Sequence, residues 1–242
     1  MIDFFYTTLY TPIYNLLIGL TDVLPGYDIG LAVVVATLIV KIIIMPLSFA
    51  ALRTQRAVKA MEPEMKKIRE TMKDDKEAQA KAMFALYKEY KVNPFAGLLT
   101  LLIQLPIVLS LYWVFNSKTL LTVNTDILYS FIPVPETIAP LFLGIFAVTG
   151  ASIVLSLLAG LTQLAYGWYA IPMPEKPKEP GKDMQADFGR AMATQMRFIL
   201  PIFIAIAAYF TSVAIALYFI TSNLVGLLQE YIVRREKVRS EA

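Results

Sequence analysis

The chain has 242 residues, 57% of them hydrophobic and 17% charged, with a formal net charge of +3 and a mean hydropathy of +0.59. That is too apolar for a water-soluble domain of ordinary make-up and reads as an integral membrane protein. With neither Cys nor His in the sequence, disulfides, thiolate nucleophiles, the usual zinc and haem ligands and imidazole acid–base chemistry are excluded; no catalytic residue, cofactor or metal site is expected.

Residues 1–28 come first. In IDFFYTTLYTPIYNLLIGLTDVL, Asp3, Thr7, Thr11, Asn15, Gly19 and Asp22 recur every three or four positions between aromatics and aliphatics, a polar stripe interrupted by Pro12. The pattern predicts an amphipathic helix lying in the outer membrane interface. A sixth span or a signal peptide is the alternative, and the basic segment that a signal needs is missing.

A first span is placed at 29–51. Its centre, TLIVKIIIMP, carries Lys41, about 18 Å deep at ~1.5 Å of rise per residue. A lysine at a helix centre costs about 2.5–3.5 kcal/mol to insert, and its default reading is a functional site on a water-filled cavity. No predicted span carries Asp or Glu well inside its apolar core, so the sequence offers no acidic partner at that depth.

Residues 52–93 predict a cytoplasmic helical hairpin. Val58, Met61, Met65, Ile68 and Met72 are spaced three and four apart, KDD at 73–75 interrupts them, and Ala80, Met83, Phe84, Tyr87 and Tyr90 resume. This apolar seam holds two helices together. Alternatively Met61, Met65, Met72 and Met83 also receive varied apolar partners, since thioethers are flexible and polarizable.

The second span is placed at 94–116, an extracellular loop at 117–138 and the third span at 139–170. IPMPEKPKEPGKD, with four prolines and no apolar period, makes 171–195 a Pro-rich cytoplasmic loop that begins as an extended linker. The fourth and fifth spans share 196–232 as a tight hairpin around FTS, Pro201 marking a kink. A basic tail, 233–242, ends the chain and suits anionic lipid or ribosomal RNA by charge alone.

Basic residues set the direction. Of 22 Lys and Arg, 11 lie in Arg53–Lys91, five in Lys176–Arg197 and four in Arg234–Arg239, with none in residues 1–28. By the positive-inside rule these three segments are cytoplasmic. The fold class is therefore an all-α membrane protein of five spans, N-terminus outside and C-terminus inside.

Polar residues recur along the spans: Thr37, Lys41, Ser48 and Gln55 on the first, Thr100 and Gln104 on the second, Thr149, Ser152, Ser156 and Gln163 on the third, and Tyr218, Thr221, Ser222 and Gln229 on the fifth. Any single stripe reads as ordinary small-residue helix contact. Four stripes with one cation point to a shared hydrated groove.

Several segments now form a pattern. NPFAGLLTLLIQLPIVLSLYWVF, from Asn93, resembles the second conserved span of the YidC insertases and their mitochondrial and chloroplast relatives. LYFITSNLVGLLQEY is similar to the final span of that family, with Tyr218, Asn223 and Gln229 in matching places. KIIIMPLSFAALRTQRAVKAMEPEMKKI, LAGLTQ and QMRFILPI extend the resemblance to nearly the whole chain from about residue 5. It implies a non-enzymatic membrane protein insertase and chaperone in the plasma membrane of a bacterium. Such a protein would receive nascent membrane proteins in a groove open to cytoplasm and lipid and release them sideways into the bilayer. Groove residues are then Lys41, in place of the family's usual arginine, with Thr37, Thr100, Gln104, Ser156, Gln163, Tyr218, Ser222 and Asn223. The Sec translocon, and the ribosome through the basic tail, are the further expected partners; sequence-specific nucleic-acid binding is not expected, and a monomer is the expected active form. No large extracellular domain and no lipoprotein cysteine accompany the spans in this sequence. Three other readings stay open: a small-solute transporter or channel with Lys41 as an anion site, an intramembrane hydrolase pairing Lys41 with Ser152, Ser156 or Ser222, and a purely structural assembly factor.

Overall fold

The structure, a computed structural model, describes residues 6–72, 75–90, 93, 106–115, 122–171, 173 and 184–240. It divides into two units, Met1–Ile43 with Pro106–Tyr231, and Ile44–Leu105 with Ile232–Ala242.

In the first unit a π-helical turn, Tyr6–Tyr10, leads into α1, Thr11–Val23. Pro12 lies in the first turn of α1, where its missing N–H costs nothing, so it starts the helix and does not interrupt it. Of the polar stripe, Asn15 faces protein while Thr7 is exposed. Asn15 is buried; its Nδ2 donates to the Ile127 carbonyl at 2.8 Å and its Oδ1 accepts from Tyr129 N at 2.6 Å. Asn124 N donates to the Tyr14 hydroxyl at 2.7 Å. The helix thus presents Asn15 and the Tyr14 hydroxyl to the loop 124–132, whose backbone needs partners.

After the turn Pro25–Tyr27, Asp28 caps α2, Ile29–Ile43: its Oδ1 accepts from Leu31 N at 2.9 Å. The expected span 29–51 is broken, with α2 ending at Ile43, Ile44 in a turn and α3, Met45–Ala60, starting afresh. Pro46 is the reason, since it has no N–H for the carbonyl four residues back. Later in this unit come the short apolar helix α6, Pro106–Phe115, and then α7, Ile153–Ala170. The expected third span began at 139, but residues 139–150 form a β-hairpin. In it β1, Leu141–Phe142, pairs antiparallel with β2, Phe146–Ala147, with Phe142 opposite Phe146. Ser152 stops any continuous helix by capping α7, its Oγ accepting from Leu155 N at 3.3 Å.

Next, α8, Met184–Thr194, continues through a π-helical turn, Gln195–Ile199, into α9, Leu200–Thr211. The Pro-rich loop therefore becomes helical from Met184. The π-turn, closed by Leu200 N to the Gln195 carbonyl, delivers Pro201 into the opening turn of α9, where it breaks no bond. Ser212 alone separates α9 from α10, Val213–Ser240, which carries the expected basic tail onward as helix.

Small residues set the helix contacts. A Cβ on Gly160 would stand 2.9 Å from Ala205 Cβ and 3.0 Å from the Pro201 carbonyl, and one on Gly167 would meet Arg197 Cα at 3.3 Å, so α7 and α9 lie close and antiparallel. Asn223 reaches Thr162, and Gly226 leaves room for the Tyr166 ring, so α10 runs parallel to α7. The hairpin gathers the starts of three helices. Ala139 pairs with the residues beside α2 (Ala139 N to Tyr27 O at 2.9 Å, Ile29 N to Ala139 O at 3.4 Å), and Leu143 N donates to Asp28 Oδ2 at 2.7 Å. Val213 N and Ala214 N, at the head of α10, donate to Gly150 O and Val148 O at 2.8 and 3.1 Å.

The second unit holds α3 and the helical hairpin of α4, Glu62–Thr71, and α5, Lys76–Glu89. Asp75 caps α5 by accepting from Glu77 N and Ala78 N. The seam centres on buried Met61, Met65 and Leu86, with Val58, Ile68, Met83 and Tyr87 against them.

Three described helices, Ile153–Ala170, Gly189–Thr211 and Val213–Arg235, are long and apolar enough to cross a membrane; the broken pair Ile29–Ile43 and Met45–Ala60 is a fourth candidate.

Candidate functional site

The hairpin end of the first unit gives a ruler along the helices. At ~1.5 Å per residue from that end, Tyr218 lies about 8 Å along α10, Thr37 about 12 Å along α2, and Gln163 and Asn223 about 15 Å along α7 and α10, with Lys41 about 18 Å along α2. Measured from the hairpin end, the polar residues thus fall within about the first 18 Å of helices that are long enough for a ~30 Å hydrocarbon layer. The far end is marked by Arg197, whose guanidinium carbon stands 3.9 Å from the Trp168 ring centroid while its Nη2 donates to the Trp168 carbonyl at 3.2 Å, an arrangement suited to a membrane–water boundary.

Thr37 and Tyr218 come together. They line one recess with Ile13, Leu16, Ala36, Val40, Ile107 and Leu111, where α1, α2, α6 and α10 converge. Both are buried, and the Thr37 hydroxyl donates to its own helix at the Val33 carbonyl, 2.7 Å away. Lys41 follows Thr37 by one turn on the same face, in the last turn of α2, where the carbonyl end of the helix favours a cation. Tyr218 and Ser222, four residues apart on α10, are hydrogen-bonded. Asn223 Nδ2 donates to Thr162 Oγ1 at 3.3 Å, tying α10 to α7.

Ser156 and Gln163 are buried on α7, and among the described residues of the first unit three buried side-chain polar atoms lack a protein hydrogen-bond partner: Ser156 Oγ, Gln229 Nε2 and, near the far end, Arg197 Nε. A membrane-buried polar atom without a partner is costly unless water or another molecule reaches it. Ser152 serves as a helix cap and Thr149 is exposed in the hairpin, so the stripe expected on the third span keeps only Ser156 and Gln163. Ser48 and Gln55 fall on α3, in the other unit. Thr100 and Gln104 lie outside the described residues.

In the second unit Met61 and Met65 are buried in the hairpin seam and Met83 lies against it, while Met72, half-buried, stands just past α4. Phe84, expected in the seam, is 64% exposed. Tyr90 closes the hairpin by donating its hydroxyl to Glu64 Oε1, and that bond raises its phenol pKa above the ordinary value.

Comparison with known proteins decides the family. The profile of the family described as 60Kd inner membrane protein matches residues 20–241. The chain belongs to this family. Among its relatives are proteins named membrane protein insertase YidC from Francisella tularensis subsp. novicida (strain U112), subsp. tularensis (strain SCHU S4 / Schu 4) and subsp. holarctica (strain LVS). Each is 33% identical over 208 residues, covering 85% of this chain and 32% of the relative. The chain thus spans about a third of the length of these curated relatives. Membership agrees with the motif resemblance and with a mostly helical, multi-pass membrane protein.

Two positions of this family member escape the stripe reading, Thr162 and Asp28, and a third, Asn15, is in the interfacial stripe but meets the loop 124–132. Thr162 sits one residue off the Ser156–Gln163 line, and only its cross-helix bond to Asn223 gives it weight. Asp28, an acid just before an aliphatic run, is an N-cap signal that sequence does carry.

Proposed function

We propose that the chain is a membrane protein insertase and chaperone. It receives nascent membrane proteins in a polar groove of the first unit and releases them into lipid, alone or beside a Sec-type translocon. In this reading there are five spans, with the hairpin end outside and the α4–α5 hairpin and basic tail inside, in the plasma membrane of a bacterium. Helix directions support this arrangement: α2, α7 and α10 start at the hairpin end, and α9 runs the other way. The basic segments also agree with it.

One observation carries the reading. The starts of α2 and α10 are sewn to the 139–150 hairpin by backbone hydrogen bonds, whereas Thr37, Lys41, Ser222 and Asn223 lie further along those two helices and Ser156 and Gln163 along α7. A cation and several hydroxyls and amides in mid-membrane, below a tied outer end, suit a cavity entered from the cytoplasm. Lys41 would attract acidic residues of a short translocated tail. Hydration would lower the barrier for that tail, and the apolar segment behind it would partition sideways without a covalent step. The α4–α5 hairpin would act as a reception surface through exposed residues such as Phe84, with Met61 and Met65 holding it in shape.

The test is insertion into proteoliposomes of substrates whose translocated tails carry Asp or Glu. Lys41→Arg is expected to insert at near wild-type yield and Lys41→Ala to lose most of it, with the loss shrinking as the acids are removed from the tail. Equal yields for Lys41→Ala and wild type across the acidic tails would refute the role given to Lys41.

A further inference from the structure

The hairpin 139–150 has a composition that a water-exposed turn does not explain. No charged residue occurs from 137 to 174. Phe142 is spent against Gly30, where an added Cβ would come within 2.6 Å of Phe142 Cβ, and Val148 is buried. At the tip, however, Leu143 and Ile145 are 63% and 72% exposed.

The tip backbone sharpens the contrast. Leu143 and Gly144 have φ of +50° and +72°, and Ile145 N donates back to the Phe142 carbonyl at 3.0 Å, so both central residues of the turn are left-handed. Asn-Gly or Asp-Gly meets that demand with least strain. A leucine there crowds its Cβ against the following carbonyl, and exposure to water adds a second unfavourable contribution; immersion in hydrocarbon reverses that second one. Part of the hairpin backbone also suits lipid. Ala139, Leu143, Ile145, Val148 and Gly150 have their N–H groups bonded within the protein, to Tyr27 O, Asp28 Oδ2, Phe142 O, Pro140 O and Ala147 O, which favours entry into hydrocarbon; the Gly144 N–H at the turn is the exception and favours a shallow position near the headgroups.

We propose that the tip Leu143–Ile145 is immersed among the acyl chains of the outer leaflet, a monotopic lipid contact. Through Asp28 it fixes the depth at which α2, and with it Lys41, sits in the bilayer. The outer side is taken from the proposed topology; the lipid contact itself stands on the hairpin.

Because the chain has no cysteine, single-cysteine variants of the full chain can report on the tip. Leu143→Cys, Ile145→Cys and, as an exposed loop control, Asp126→Cys are labelled with an NBD fluorophore. They are then reconstituted in phosphatidylcholine–phosphatidylglycerol vesicles. The expected result at 143 and 145 is blue-shifted emission, iodide quenching several-fold weaker than at 126, and strong quenching by lipids with a doxyl group near the headgroup. Iodide access equal to that at 126 overturns the proposal. A blue shift without doxyl quenching also overturns it, in favour of a protein partner or a second copy of the chain. Leu143→Asn, which suits the left-handed turn and so keeps the hairpin, is expected to raise iodide access at 145; unchanged access counts against the proposal. Reaction of Asp126→Cys with an impermeant maleimide from the side that carries the Lys176–Arg197 loop overturns the outer placement and the topology together. The doxyl quenching then decides the lipid contact separately.

Discussion

Replacing Asp28 by Ala tests the tie between α2 and the β-hairpin. Asp28 is 7% exposed, and its carboxylate accepts from Leu31 N at 2.9 Å through Oδ1 and from Leu143 N at 2.7 Å through Oδ2. Loss of a helix cap costs about 1 kcal/mol, and leaving a buried N–H without its acceptor costs about 1–3 kcal/mol. Together these give about 2–3 kcal/mol for local opening, once some water is admitted to the emptied site. At ~1.4 kcal/mol per tenfold, the Leu143 amide should exchange with deuterium roughly 30- to 150-fold faster, provided exchange follows local opening. Asp28→Asn keeps one acceptor oxygen and turns an amide donor toward the other N–H, so its effect should fall between wild type and Ala. The assay is hydrogen exchange by mass spectrometry in nanodiscs on peptides covering 139–150, with α9 peptides as reference. Unchanged exchange across 139–150 in Asp28→Ala would refute the inference that this carboxylate holds the hairpin to α2.

Other substitutions follow from the packing of each unit. Gly160→Val pushes a Cβ to 2.9 Å from Ala205 Cβ and should lower thermal stability in detergent by about 1–3 kcal/mol. Gly189→Ala, with nothing within 4 Å of the added Cβ, should leave stability unchanged or slightly raised. Leu86→Ala, in a small seam with Met61 and Met65, should destabilise the α4–α5 hairpin by about 2–4 kcal/mol, speeding exchange in α4 and α5 while α7 and α9 keep theirs. Tyr90→Phe removes the bond to Glu64 that raises the Tyr90 pKa. A raised folded pKa means that the bond supports the hairpin fully below the ordinary phenol value and is lost as pH rises through the folded value. The wild-type hairpin should therefore exchange more slowly than Tyr90→Phe at pH 7–9, a gap that closes as pH rises through the folded Tyr90 pKa and the ionised oxygen no longer donates to Glu64.

Periodicity found the elements whose partners are local and misjudged those whose partners are distant. The Met seam was legible because α4 and α5 meet each other across a short turn, yet Leu86 was missed and Phe84 wrongly included; a residue either side of the seam line is a rotation the pattern does not fix. LFLGIFAV, from Leu141, reads as span by hydropathy, and nothing in its composition separates a helix from an apolar hairpin. The decision lies in Asp28 and Val213, far along the chain, which supply the hydrogen bonds for its backbone. Asn15 shows the same limit. A polar stripe on an amphipathic helix says which side is polar, and whether water or a loop meets that side depends on residues 124–132. Pro46 and Pro201 carry the opposite lesson: one breaks a helix and the other opens one, the difference lying in the π-turn before Leu200.

The polar stripes themselves are less alike than their residue types suggest. Thr37, Ser48 and Thr21 each return a hydroxyl to the carbonyl four residues back, at 2.7, 3.2 and 2.8 Å, so these side chains satisfy themselves and require no water. Ser156 is different, buried at 3% exposure with Oγ lacking a protein partner. If the groove is hydrated, Ser156→Cys should react with a small aqueous maleimide in the native protein, far faster than Ala208→Cys, a fully buried position on α9. Ser156→Ala should then cost little stability, because no protein hydrogen bond is lost, while slowing insertion only as far as hydration at that depth matters. Labelling at 156 no faster than at 208 would mean a dry interior there. The case for a water-filled groove would then rest on Lys41 and Gln229, and an ordinary helix bundle would account for the remaining stripes.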